Sequence, residues 1–371
     1  MELRDITTWL NDIQSRPAEP RRVAHALTRS PTSIASMVVM GQFYRAIEAR
    51  FVTPRRRQLT PVQMEAIRAA CDFAVAGGLN ALCFSTLNRV TLALQLVARV
   101  LDSSLVCQGQ YQLCGPAAVV VTLASDAPLR YVIACTELAD RGTTRIHNWQ
   151  ITPAVEICNA IPNGPAADWI MCASFRADDR ALTDAMYGTC GPEDVFRFLC
   201  SSGYRKVILV TDFPSSIVRC EPPRLIPPNI HTGDRVQLVR DMVTLINGGW
   251  RAVMFVFGNM NQALAGAAQG ESMRLQMPDS YGQAVRNQAQ QQAELALRVP
   301  NPSLFSLVWG VLTGTAAAHT MHVTFVSHAR IDENYIKLSC VNFGQHQRWV
   351  TFPLVDFANK FVGYAAASDI A

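Results

Sequence analysis

The sequence predicts an α+β fold, on three observations. The first hundred residues carry helical periodicity with helix caps. From about residue 105, short apolar segments of strand character appear between helices. From residue 322 onward, β-branched and aromatic strands dominate, without a run of alternating βαβ units. At 371 residues, 49% hydrophobic and 17% charged, the chain has ample apolar material for a large core, and its length favours two domains.

The elements follow in order. "TPVQMEAIRAACDFAVAGG" (60–78) opens with a capping box, Thr60 at the cap, Pro61 at the first helical position and Gln63 reaching back, and Gly77-Gly78 supply a stop. Met64, Ile67, Ala70, Cys71 and Ala74 recur at helical spacing between them. A second helix is expected over about 86–101. "YVIACTEL" (131–138) and "ADWIMCASFR" (167–176) read as short strands. A helix opened by Pro192 and stopped at Gly203 leads into the strand "KVILV". A proline-rich loop (222–229), a helix over about 235–246, a Gly-Gly break and the strand "RAVMFVF" come next. "PDSYGQAVRNQAQQQAELALRVP" (278–300) reads as a polar helix with a solvated glutamine-rich face. "HVTFVSHARIDENYIKLSCVNFG" (322–344) reads as a hairpin turning at "ARIDEN", "HQRWVTFP" as a further strand, and "LVDFANKFVGY" as a closing helix or turn.

Composition narrows the function. The net charge of +4 is not the basic surplus of a nucleic-acid binder, so no nucleic-acid partner is expected. Eleven cysteines lie scattered without a C-x-x-C pair, which points to free thiols in a reducing compartment rather than a zinc ribbon or a redox motif. The most apolar stretch, "VTLALQLVARVL" (90–101), is short and interrupted by Gln95 and Arg99, so no membrane span is expected. The N-terminus lacks an apolar signal core, which makes a cytoplasmic location the default, alongside secretion without a classical signal peptide. No phosphate-binding glycine loop is present, and neither a metal nor a cofactor is expected. A zinc reading of His319, His322, His328, Cys340 and His346 is disfavoured because "HVTFV" is strand-like and no second closely spaced ligand pair exists.

The chemistry concentrates in "CQGQYQLCGPAAVV" (107–120). A cysteine nucleophile requires a stabilised thiolate, an oxyanion donor, and a base held in one orientation. Cys114 stands before "GPAAVVVTLA", a helix start whose dipole favours thiolate, and Gln108 lies six residues upstream as a side-chain amide donor. Read alone, Cys114 is equally a buried thiol beside a turn. A second "CGP" at Cys190 has two carboxylates at its helix start, which oppose a thiolate, and reads as structural. Among seven histidines His322 is the best placed base, at the start of a strand, with His319 as the alternative. Asn342, at the end of the returning strand, is the orienting partner, and Asn334, Asp332 and Asp356 are weaker candidates.

"Q-x5-CGPA", "HVTFV" and "VNFG", in that order, resemble the papain-like cysteine peptidase superfamily, closest to the leader-cleaving peptidase domains of bacteriocin exporters. Phytochelatin synthases share the same opening. The resemblance implies a papain-like fold, a helix carrying the nucleophile packed on an antiparallel sheet, over residues 105–371, preceded by a helical N-terminal domain over 1–104 that is a candidate partner-binding module. It implies a thiol-dependent amide hydrolase, a cysteine protease acting on protein or peptide through Cys114, His322, Asn342 and Gln108. Side-chain deamidation or transamidation uses the same acyl-enzyme, and a non-catalytic interaction protein on the same scaffold is a further alternative. The extra helical domain fits, by analogy, a bacterial effector or toxin. Three departures stand out. The Cys-to-His separation (322 − 114 = 208 residues) is long, Asn342 occupies a place where the exporter branch has Asp, and the phytochelatin synthase signature around the histidine is absent.

Overall fold

The computed structural model describes residues 59–75, 82–84, 87–108, 113–160, 162, 164–176, 191–211, 229–230, 234–257, 264, 321–342 and 345–370. The architecture is mixed α+β and divides into two compact units. One comprises Met1–Tyr111 with Val120–Met186, the other Gln112–Val119 with Tyr187–Ala371.

The described part of the first unit is mainly helical. Helix α1 (Pro61–Val75) starts at the expected capping box: the Gln63 N–H donates to Thr60 Oγ1 at 3.2 Å, and the Thr60 N–H donates to Gln63 Oε1 at 3.1 Å. Helix α2 (Arg89–Leu101) is capped by Asn88, whose side chain accepts from the Thr91 N–H. A single 3-10 turn (Ser103–Leu105) follows. Helix α3 (Cys114–Asp126) begins in the second unit and ends in the first.

The next two segments correct the expectation of strands at 131–138 and 167–176. Residues 131–138 lie in helix α4 (Pro128–Arg141), which has Pro at its start and ends on Gly142 in the left-handed region (φ 65°). Its buried positions, Tyr131, Val132, Cys135, Leu138 and Ala139, form a helical stripe. A short hairpin, β1 (Thr144–Ile146) with β2 (Trp149–Ile151), and helix α5 (Val155–Asn159) follow. Residues 167–175 lie in helix α6 (Ala166–Phe175), where every position from Ala167 to Phe175 is buried. A run that is buried all round carries no clear period, so its type is set by the partners it packs on, here α2 and α4.

The second unit is built on a seven-stranded sheet of order β4-β3-β9-β5-β6-β7-β8. Helix α7 (Pro192–Ser201) leads into β3 (Tyr204–Thr211), which pairs parallel with the short β4 (Asn229–Ile230); every other pairing is antiparallel. Helix α8 (Arg235–Asn247), capped by Asp234, precedes β5 (Arg251–Phe257). The expected hairpin is present as β6 (Met321–Asp332) and β7 (Tyr335–Asn342), with a tight turn at Glu333-Asn334 where Glu333 takes φ 52°. Then come β8 (Gln345–Pro353), helix α9 (Leu354–Lys360) and β9 (Phe361–Ile370).

Strand β9, like the β1–β2 hairpin, α5 and β4, is not anticipated by the sequence reading. It lies between β3 and β5 and joins the two parts of the sheet. Its alanines, Ala365 to Ala367, are fully buried. Helices α8 and α9 supply Leu238, Met242, Leu354 and Phe357 to a core shared with Met254, Val326, Leu338, Phe352 and Tyr364 of the strands. Among the described residues, no helix is long and apolar enough to cross a membrane. The expected glutamine-rich helix and most of the proline-rich loop lie outside the described residues.

Candidate functional site

Cys114 is the first residue of α3. The first N–H groups of a helix have no partner within it, and those of Cys114 and Gly115 draw the Cys114 thiol down. A third donor comes from far along the chain: the backbone N–H of Val323, the second residue after the start of β6. Val323 lies beyond the last residue pair formed between β6 and β7, Phe325 with Val341. The sulfur thus meets β6 at its beginning, next to His322, and both belong to the second unit.

His322 is buried, 7% exposed, and lies across the sheet from Val256 on β5. Asn342 closes β7. Continuing the register from Val326↔Cys340 and Phe325↔Val341 sets the Asn342 backbone level with Thr324, two residues along β6 from His322. Buried Thr324 donates its hydroxyl to the Val341 carbonyl and fastens this end of the hairpin. Gln108 is half-buried in the loop after the 3-10 turn and belongs to the first unit. His319 and Cys190 lie outside the described residues. Asp332 and Asn334 sit at the β6–β7 turn, at the opposite end of that hairpin from His322, and Asp356 lies on α9.

The electrostatics of Cys114 differ from the lowered pKa expected of it. Burial is the largest influence and pushes the thiol up, while the three N–H donors pull it back. In the core of β7, burial pushes the Cys340 thiol up to about 12. Cys114 is therefore distinguished from an inert core thiol by its donors and its partial exposure, not by a net drop in pKa. Among the described residues, no group of three His, Cys, Asp or Glu side chains is placed to hold a metal.

The contribution of Val323 was invisible in the sequence, because a backbone donor has no residue-type signature. Comparison of the chain with family models, with curated proteins and with solved structures returns no match.

Proposed function

We propose that this chain is a thiol-dependent amide hydrolase of the cysteine-protease kind, acting on a protein or peptide. The Cys114 sulfur attacks the amide carbonyl as His322 takes its proton. The oxyanion is received by the Cys114 N–H, and the motif "Q-x5-CGPA" assigns the Gln108 side-chain amide as the second donor. His322 returns the proton to the departing amine, and water, deprotonated by His322, then hydrolyses the thioester. Asn342 orients the imidazole. Because burial pushes the resting thiol up, proton removal accompanies attack instead of preceding it as a stable ion pair. The same acyl-enzyme serves deamidation or transamidation when the acceptor or leaving group changes. A cytoplasmic setting, the chain's own or that of a host or target cell, suits the free thiols.

One observation carries this reading. The backbone N–H of Val323, the residue after His322, acts on the Cys114 thiol from 209 residues along the chain (323 − 114) and draws it down. The order of "Q-x5-CGPA", "HVTFV" and "VNFG" supports it independently. The upward push on the Cys114 thiol favours a second reading, a non-catalytic interaction protein on the same scaffold.

Electrophile labelling with mapping of the modified cysteine, and turnover of an amide-substrate panel, separate the two. Cys114→Ala is expected to abolish turnover. His322→Ala should lower kcat by about 10²–10⁴-fold, the range for a lost general base. A Cys114 that resists the probe, with turnover unchanged in Cys114→Ala, would favour the interaction protein.

A further inference from the structure

The first unit holds two groupings of polar side chains that the proposed reaction does not use. One is the buried ion pair of Arg99 on α2 and Asp168 on α6, a fork with Nε to Oδ1 at 2.5 Å and Nη2 to Oδ2 at 2.6 Å. That pair works structurally. Asp168 accepts the Cys107 N–H at 2.9 Å and Arg99 donates to the Leu105 carbonyl at 3.4 Å, so two helices fasten the backbone at 105 and 107. The other grouping is a pair of free thiols, Cys83 and Cys158.

Cys83 is half-buried and lies between buried Leu82 and Phe84, on the connection from α1 to α2. Its N–H donates to the Ala139 carbonyl in the last turn of α4 at 2.8 Å. Its sulfur rests against Gly142, where an added Cβ would overlap Cys83 Sγ, so the absence of a side chain there gives the sulfur its place. The chain then returns α5 to the same spot. Thr143, the residue after Gly142, donates its hydroxyl to the Ile151 carbonyl at 3.1 Å and lies 3.0 Å from the Thr152 hydroxyl. Helix α5 starts three residues beyond Thr152 and carries Cys158, which is 5% exposed. The Cys158 thiol is pushed up to about 12, by burial first and then by a side-chain hydrogen bond with Cys83 and the charge of that sulfur. Cys158 therefore keeps its proton beside the Cys83 sulfur.

We infer that Cys83 and Cys158 form an oxidisable dithiol, a modification site that reacts with a peroxide and closes to a disulfide between the α1–α2 connection and α5. The more accessible Cys83 reacts first. Its sulfur attacks a peroxide oxygen, the S–O bond forms, the O–O bond breaks, and the departing oxygen leaves with the thiol proton. The Cys158 sulfur then attacks the Cys83 sulfur. The S–S bond forms, the S–O bond breaks, and the Cys158 proton leaves with the hydroxyl as water. Two thiols are oxidised and one peroxide is reduced. The site does not draw on Cys114, and its failure would leave the hydrolase reading untouched.

The full chain, purified reduced, is treated with hydrogen peroxide, then unfolded at mildly acidic pH with N-ethylmaleimide present to block exchange, and digested without reductant. Peptide mapping is expected to show Cys83 joined to Cys158, reversed by dithiothreitol. Cys83 should be consumed at least about tenfold faster than Cys340, a fully buried thiol. In Cys158→Ser, Cys83 should stop at the sulfenic acid and be trapped by dimedone, whereas in Cys83→Ser the Cys158 thiol should stay reduced. The wild-type map decides by itself if either variant does not fold. Cys83 joined to another cysteine, Cys83 carried on to sulfinic acid with Cys158 still alkylated by N-ethylmaleimide, or both thiols still alkylated after peroxide would overturn the inference.

Discussion

At the scale of single residues, the position of Cys114 leads to a pH prediction. Its thiol is pushed above the ordinary range by burial and drawn back by three N–H donors. Alkylation of Cys114 followed by mass spectrometry from pH 5 to 10 should rise once, with a midpoint above the value of about 8.5 for a free cysteine. A plateau of reactivity at low pH would instead signify a preformed thiolate–imidazolium pair and refute the neutral resting state. The same linkage bears on stability. The folded thiol keeps its proton to higher pH than the unfolded one, so between those values the native state binds more protons. Its contribution is fully present below about pH 8.5 and is lost as pH rises through the folded value. Cys340, pushed up to about 12, acts in the same sense. At this scale the sequence proposes Cys114 and His322 from chain order and neighbours. Nothing in residue type could reveal the Val323 N–H, or that Arg99 and Asp168, 69 positions apart, grip the same loop.

At the scale of elements, β9 passes close against β3 at Gly363. A Cβ there would overlap the Val210 carbonyl oxygen and come within 2.7 Å of Thr211 Cα on β3, with φ at 158°. Gly363→Ala is expected to destabilise by about 2 kcal/mol or more, because backbone rather than a flexible side chain must yield. A urea titration measures this, and an unchanged midpoint would show that β3 and β9 separate freely. The legibility of elements followed how local their determinants are. Helix α1 was readable because Thr60 and Gln63 cap each other within a single turn. The β6–β7 hairpin was readable from its β-branched arms. Helices α4 and α6 were misread because Tyr131-Val132-Ile133 and Trp169-Ile170 have strand-forming side chains, and helix packing overrode that preference. Strand β9 failed in the opposite direction. Alanine favours helices, but Ala365 to Ala367 fill narrow, fully buried positions between two neighbouring strands.

At the scale of the whole molecule, neither unit is one continuous stretch of chain. A boundary after residue 104 would part α2 from α6 and Arg99 from Asp168. A fragment of 105–371 is therefore expected to retain a buried carboxylate with no counter-charge, a loss of about 3–5 kcal/mol when one member of such a pair is removed. Circular dichroism should show more helix lost than residues 1–104 account for, and limited proteolysis should cut within 128–175. A fragment whose helices α4 and α6 stay intact would show that α2 is dispensable to them.

The central placement of β9 also orders events during synthesis. Strands β3 and β5, which flank it, emerge more than a hundred residues earlier (361 − 257 = 104). At typical elongation rates the ribosome takes about 5–20 s to cover that distance. Throughout that interval both strands present open, apolar edges in a crowded cell, the kind of surface that invites wrong pairing. Those edges are closed only when residues 361–370 arrive and β9 pairs with both strands.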